Sequence, residues 1–326
     1  MSGDRRLLGL KIDVDTYRGT LQGVPQLLEL LQRHGAKGTF LFSLGPDHTG
    51  RAIKRVLRPG FLGKVKRTSV VEHYGVRTLL YGTLLPGPDI GRRCADLMRS
   101  VADQEHETGI HTWDHIRWQD GVEYADAAWT QSEMQRAFDR YVEVFGFPPL
   151  THGAAGWQMN RHAFRLTQRM GFDYCSDGRG ETPFYPVQDA EIVGCPQLPT
   201  TLPTLDELIG LDGIEAGNVA DHLLRLTADA RATPHVYTLH AELEGMRLAP
   251  VFDRLLEGWR AQGYELVATR TIFESLDLTA LPRCEILRSG VPGRSGTLMT
   301  QGPVFLGDVP LPEAEAAESA RLMTLD

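Results

Sequence analysis

The sequence lacks any closely spaced cysteine pair. Its four cysteines, Cys94, Cys175, Cys195 and Cys284, form no C-x-x-C motif, so neither a zinc ribbon nor a thioredoxin-like redox motif is present. Four scattered cysteines in 326 residues suit a reducing compartment better than a disulfide scaffold. No apolar run approaches the roughly 20 residues that cross a bilayer. Met1 to Arg6 is charged and leads straight into strand-like sequence without an apolar signal core. The expectation is a cytoplasmic chain, soluble or peripheral and not exported. There is no G-x-S-x-G elbow, no P-loop, no strand–G-x-G-x-x-G–helix unit and no cysteine in a catalytic signature. Nor is there an excess of positive charge: the net charge of −8 argues against a general nucleic-acid binder.

What is present is an ordinary globular mixture, 42% apolar and 23% charged, long enough for one large α/β barrel. Leu7 to Ile12 reads as a buried strand. Val24 to His34 reads as a helix, with Pro25 in its first turn and Gly35 as its stop. Thr39 to Phe42 is the next strand, and this β-α-β opening implies parallel strands with a right-handed crossover. The alternation continues with helices over 91–106, 126–145, 160–170, 218–231 and 248–259. Strands are expected over 108–111, 172–176, 192–198 and 236–240, with a last strand over 264–268. Repeated strand–helix units around one core predict an irregular (β/α) barrel. Its limits are set at 1–303, followed by a polar tail, 304–326, that reads as frayed.

Residues 45–90 interrupt the alternation. Between Arg51 and Arg93 there are ten Lys/Arg, opposed only by Glu72 and Asp89, with aromatic and apolar residues interleaved. Such a basic-apolar insertion suits an anionic membrane surface. It equally suits a structured insertion that packs on the barrel and exposes its charges.

Four strand-end clusters carry chemistry. Asp13 and Asp15 follow the first strand, at the carboxyl end where α/β folds place their sites. His111 and His115 follow another. If the chain turns helical there, spacing by four sets both on one face, where they can share a metal. Adding Asp15 gives two histidines and one carboxylate, the composition of a hydrolytic metal site. His240 ends a further apolar strand and is placed for acid/base work, although a lone histidine is more often structural. His152 to Trp157 is a small-residue loop whose backbone N–H groups can approach a substrate oxygen or merely form a tight turn.

These motifs, in this order, resemble the polysaccharide deacetylase (NodB-homology, carbohydrate esterase family 4) superfamily. The resemblance extends over residues 7–303, including Thr-Leu-Pro-Thr-Leu-Asp-Glu at 201–207 and His-Ala-Glu-Leu-Glu-Gly at 240–245. It is strongest to a branch that deformylates 4-deoxy-4-formamido-L-arabinose on undecaprenyl phosphate, in lipid A modification and polymyxin resistance. The resemblance implies an irregular (β/α) barrel with Asp13 as catalytic base. It implies Asp15, His111 and His115 as ligands of one divalent metal: zinc, or cobalt, nickel or manganese. It implies His240 as general acid supported by Asp177, and the Ala155 N–H as oxyanion donor. His152, Trp157, Arg179 and Glu242 fall among substrate-binding positions. Where the wider superfamily has an arginine that orients the base, this chain has His152, so that task passes to His152 or to another group such as Arg179. A lipid carrier would give Arg55, Lys64, Lys66 and Arg67 a phosphate or headgroup to meet at the cytoplasmic face of the inner membrane. No nucleic acid and no obligate protein partner are implied. The alternatives are a deacetylase of another N-acylated amino sugar, a metal-free hydrolase of cyclic ureides, and a catalytically dead lipid-sugar binder.

Overall fold

The computed structural model describes residues 5–52, 75–229 and 231–307. Arg55, Lys64, Lys66 and Arg67, with most of the basic insertion, lie outside the described residues, as does the tail beyond 307. The barrel begins with strand β1 (Arg6–Val14), helix α1 (Val24–Arg33) and strand β2 (Thr39–Ser43). A single turn, Ile90–Arg93, leads into α2 (Ala95–Asp103), β3 (Glu107–Thr112), α3 (His115–Gly121) and α4 (Ala127–Phe145). Next come β4 (Thr151–His152), α5 (Arg161–Arg169), β5 (Tyr174–Cys175), β6 (Tyr185–Gln188) and β7 (Glu191–Ile192). The chain continues through α6 (Leu205–Leu208), α7 (Val219–Leu226), β8 (His235–His240), α8 (Ala249–Ala261), β9 (Tyr264–Val267) and α9 (Thr269–Glu274). It ends with β10 (Arg283–Ser289) and β11 (Leu298–Val304).

Seven parallel strands curl into the barrel in the order β5-β4-β3-β2-β1-β8. β9 lies along the first half of β1 (Arg6–Gly9), and β2 takes the second half of the same edge (Lys11–Val14). β1 is thus central and covered on both faces, which is why it reads as an apolar run with little alternation. The helices turn apolar stripes inward: Leu27, Leu28, Leu30 and Leu31 from α1, and Phe252, Leu255, Leu256 and Trp259 from α8.

The gap between β5 and β8 is where the barrel is irregular. The strand expected over 192–198 does not form as one piece. Its start belongs to β7, in a different sheet. An extended segment then spans the gap: Cys175 N–H donates to Pro196 O, Leu198 N–H to Cys175 O, and Thr201 N–H to Val236 O. Prolines at 196, 199 and 203 remove the donors a regular ladder would need.

The expectation that strands end near 268 is also corrected. β10 and β11 form an antiparallel hairpin, and β10 pairs with β6, giving a second sheet ordered β11-β10-β6-β7. Arg179 joins the two sheets through its backbone. Its N–H donates to Met299 O and its carbonyl accepts from Gln301 N–H, while Thr200 bridges its other side.

Candidate active site

The carboxyl ends of β1, β3 and β8 converge. β1 carries Asp13 within the strand and Asp15 just beyond it. Parallel register sets Asp13 beside His240 of β8 and beside Leu41 of β2. His111 lies in β3. His115 is the first residue of α3, whose N-cap is Asp114, accepting from Arg117 N–H. The two histidines are therefore joined through a strand–turn–helix corner and not along one helix face. Their rings nevertheless stack with centroids 5.3 Å apart.

Asp15 completes the group, with Oδ1 3.1 Å from His111 Nε2 and Oδ2 3.4 Å from His115 Nε2. The His111 tautomer follows from its other nitrogen: Nδ1 lies 2.6 Å from the Gly153 carbonyl and must donate to it. In the neutral ring, Nε2 then presents a lone pair to Asp15 Oδ1, a buried oxygen with no hydrogen-bond partner. Two acceptors facing each other at this distance need a proton or a metal ion between them. The donor set, one carboxylate and two imidazoles within 4.8 Å of one another, fits a divalent metal. Burial disfavours the charge on Asp15, but His115, His111 and His240 outweigh it and hold the carboxyl well below its ordinary range.

A second cluster, His152, Cys175 and Asp177, is also compact, yet hydrogen bonds account for it. Asp177 Oδ1 accepts from His152 Nδ1 at 2.6 Å and from Ala154 N–H at 2.9 Å, and Oδ2 accepts from Gln197 Nε2 at 3.0 Å. Burial, with Cys195 alongside, pushes the Cys175 thiol far up, so it stays protonated.

This cluster corrects two expectations. Asp177 does not hydrogen-bond His240; it pins the 152–155 loop by taking the Ala154 N–H, which sets Ala155 as the next amide. His152 is buried among Asp177, Trp118 and Phe172, and its Nδ1 is taken by Asp177. The acids around His240 are others. Burial opposes its protonation, but Asp206, Asp15, Glu244 and Asp13 prevail, and its pKa is pushed up to about 9. Glu244 also accepts from the His240 N–H at 2.9 Å.

The remaining substrate-binding expectations change in the same way. Glu242 is buried, and its Oε1 accepts from Asp15 N–H, Thr16 N–H and the Thr16 hydroxyl. It braces the turn that carries Asp15, and burial, with Asp15 nearby, pushes its carboxyl up to about 8. Arg179 is committed to Glu207 through two 2.8 Å contacts and to Leu202 O. Trp157 is buried, its indole N–H on Thr200 Oγ1 and its ring contacted by Lys11, Arg179 and Arg294. The sequence assigns no role to Lys11, Asp206 or Arg294, although Lys11 opens the stretch that holds Asp13 and Asp15 and Asp206 lies within the 201–207 motif. Lys11 carried a signal: it precedes Asp13 by two residues in a strand, hence on the same face. A groove of about 570 Å³, lined by Arg51, Ile116, Arg117, Tyr124 and Trp129 among others, opens beside α3 and contains none of these acids or histidines.

A parallel barrel whose strand ends gather a carboxylate–two-histidine cluster, a second buried aspartate and a charged histidine defines a class of hydrolase. The polysaccharide deacetylase family profile matches residues 6–174, and the chain belongs to that family. It is a hydrolase of linear amide C–N bonds, of the deformylase/deacetylase kind. Among curated proteins it is 40% identical over 298 residues to a probable 4-deoxy-4-formamido-L-arabinose-phosphoundecaprenol deformylase of Shewanella sediminis, covering 91% of this chain and 95% of that one. A protein of the same name from Wigglesworthia glossinidia brevipalpis is 31% identical, covering 88% of this chain and 99% of that one. Among solved structures, a putative polysaccharide deacetylase from Mycobacterium smegmatis shares the fold, with a TM-score of 0.60 at 18% identity over 89% of this chain and 97% of that one.

Proposed function

We propose that this chain is a metal-dependent deformylase of undecaprenyl-phosphate-linked 4-deoxy-4-formamido-L-arabinose, releasing formate and the free 4-amino sugar used in lipid A modification. The observation that carries the chemistry is the lone-pair confrontation of Asp15 and His111 beside a buried, half-satisfied Asp13. The choice of substrate rests on the two relatives that bear this activity in their names over nearly their whole length.

Asp15, His111 and His115 would hold the metal, which supplies Lewis-acid polarisation of the formyl carbonyl and a more acidic water. Asp13 Oδ1, buried and without a partner, takes the proton of the attacking water. The Ala155 N–H donates to the oxyanion as the carbonyl becomes tetrahedral. His240, protonated at neutral pH, donates to the departing sugar nitrogen. Water is thereby divided between formate and amine. Work at a lipid carrier places the enzyme peripherally at the cytoplasmic face of the inner membrane. Arg55, Lys64, Lys66 and Arg67 would meet phosphate and anionic headgroups there. No helix among the described residues is long and apolar enough to cross a membrane.

Product NMR on the metal-loaded protein tests this reading. Formate from a lipid-phosphate-linked 4-formamido-arabinose analogue, without acetate from an N-acetylated amino-sugar oligomer, is expected. Acetate from the oligomer alone would overturn the substrate. Asp13→Asn should cut kcat by on the order of 10²-fold or more while metal stays bound. A near-normal rate would remove Asp13 from the role of base.

A further inference from the structure

We infer that Lys11 is the positioning residue of the base: its side chain fixes one oxygen of Asp13 from inside the barrel, leaving the other oxygen to the water. This rests on the reading of Asp13 as the base.

Lys11 is fully buried, which a lysine in a barrel core tolerates only when its nitrogen is partnered. Its Nζ lies 3.1 Å from Asp13 Oδ2 and 5.1 Å from the Trp157 ring centroid. The two residues share a face of β1, so the contact is built into a single strand and needs no loop to hold it. The division of the carboxylate follows. Oδ2 is taken by Lys11, while Oδ1 is buried, has no hydrogen-bond partner, and lies 3.8 Å from His111 Nδ1. A base held at one oxygen and open at the other is oriented before substrate arrives.

The surroundings make room for this side chain. A Cβ at Gly153 would sit 2.9 Å from Lys11 Cε and 2.3 Å from Leu41 Cδ1, so the glycine of the 152–155 loop keeps the path of the lysine open. The Trp157 indole that faces Lys11 is itself fixed through Thr200 to Thr238, the residue in register with Lys11 on β8. The two groups expected from the sequence to orient the base are occupied elsewhere, His152 by Asp177 and Arg179 by Glu207.

Lys11→Met and Lys11→Arg test the inference with three readouts: steady-state kinetics, bound metal, and crystal structures of both variants. Lys11→Met is expected to lower kcat by on the order of 10²-fold. KM and metal content should stay at wild-type values, and the Asp13 carboxylate should turn from its wild-type orientation. Lys11→Arg is expected to regain at least about a tenth of wild-type kcat, with its guanidinium on Asp13 Oδ2. The inference fails if Lys11→Met leaves Asp13 in place and kcat within about threefold. It fails equally if a folded Lys11→Arg is no better than Lys11→Met, or if metal is lost in step with rate, which would make the lysine a support of the metal site. Should Lys11→Met not fold, the Lys11→Arg structure decides, since an Asp13 that stands apart from the guanidinium at full rate overturns the inference. Wild type that releases neither formate nor acetate would sink the proposed activity, while the orientation of Asp13 in the variant crystals would still judge Lys11.

Discussion

His240 shows how one residue's chemistry is set by side chains the linear sequence keeps far away. Burial alone would make its imidazole neutral, but Asp206, Asp15, Glu244 and Asp13 push its pKa up to about 9. A general acid of this kind is protonated below its pKa and lost above it, so kcat should show a basic limb, and a cation held by Asp15 would offset one of the charges that raise His240 and set that limb below about 9. Asp206 exerts the largest of the favourable influences, and Asp206→Asn should move this basic limb to lower pH. Above the wild-type midpoint the variant's rate should lie about tenfold below wild type for each unit of displacement. A limb that stays in place would assign the titration to another group. The residues legible in the sequence, Asp13, Asp15, His111, His115 and His240, share one property: each stands at or just past a strand end. Lys11 shares the face of Asp13 by its spacing of two, but nothing in the sequence shows that its nitrogen reaches the carboxylate. Asp206 was hidden because its nearness to His240 is made by the barrel closing and not by spacing.

At the scale of elements, the helices and the first strands were legible because their signals are local. The apolar stripe of α1, with Pro25 in its first turn and Gly35 (φ +57°) after it, needs no tertiary partner to be seen. The segment 196–202 and the β10–β11 hairpin were not, for opposite reasons. The first crosses a barrel gap with prolines in place of donors. The second is half exposed along its length and shows little apolar alternation. That hairpin is nonetheless keyed to the barrel. Its turn carries Gly293 at φ +78°, where a Cβ would fall 1.9 Å from the backbone carbonyl oxygen of Glu207, the residue that binds Arg179. The neighbouring Arg294 reaches the Trp157 ring, with 4.7 Å to its centroid. Gly293→Ala should therefore destabilise the fold by about 1–3 kcal/mol or more in a denaturant titration, since both backbone strain and a clash oppose it. Gly217→Ala is the control: a Cβ there would meet nothing within 4 Å and its backbone is not left-handed, so it should stay within about 0.5 kcal/mol of wild type. Equal effects would mean that the turn does not dock against Glu207.

At the scale of the whole molecule, two pairs of titratable groups at opposite ends of the barrel are held in opposite states. At the carboxyl ends of the strands the charges of Asp15 and His240 are favoured, as the proposed mechanism requires. At the opposite end, His106 just before β3 and His235 at the start of β8 are buried and held neutral. Burial, reinforced by Lys37 for His106 and by Arg231 and Arg6 for His235, pushes both pKa values down to about 4 from 6.5. His106 also accepts the Gly38 N–H at Nδ1, a bond its protonation would remove. In the unfolded chain both rings take up a proton near pH 6.5, whereas in the folded chain they resist until about 4. Their contribution to stability is thus fully present above 6.5 and is lost as pH falls from 6.5 toward 4. The loss is on the order of 2 kcal/mol per histidine once solvent screening is allowed for. Thermal unfolding followed from pH 7.5 to about 4.5 should show Tm falling across this window. A chelator removes any contribution from acid-driven metal release at His111 and His115. A His106→Gln/His235→Gln variant, which keeps a neutral polar side chain at each site, should flatten the fall relative to wild type. If the variant loses Tm as steeply as wild type, the acid sensitivity of the barrel arises elsewhere, and the neutral end is not what sets its lower pH limit.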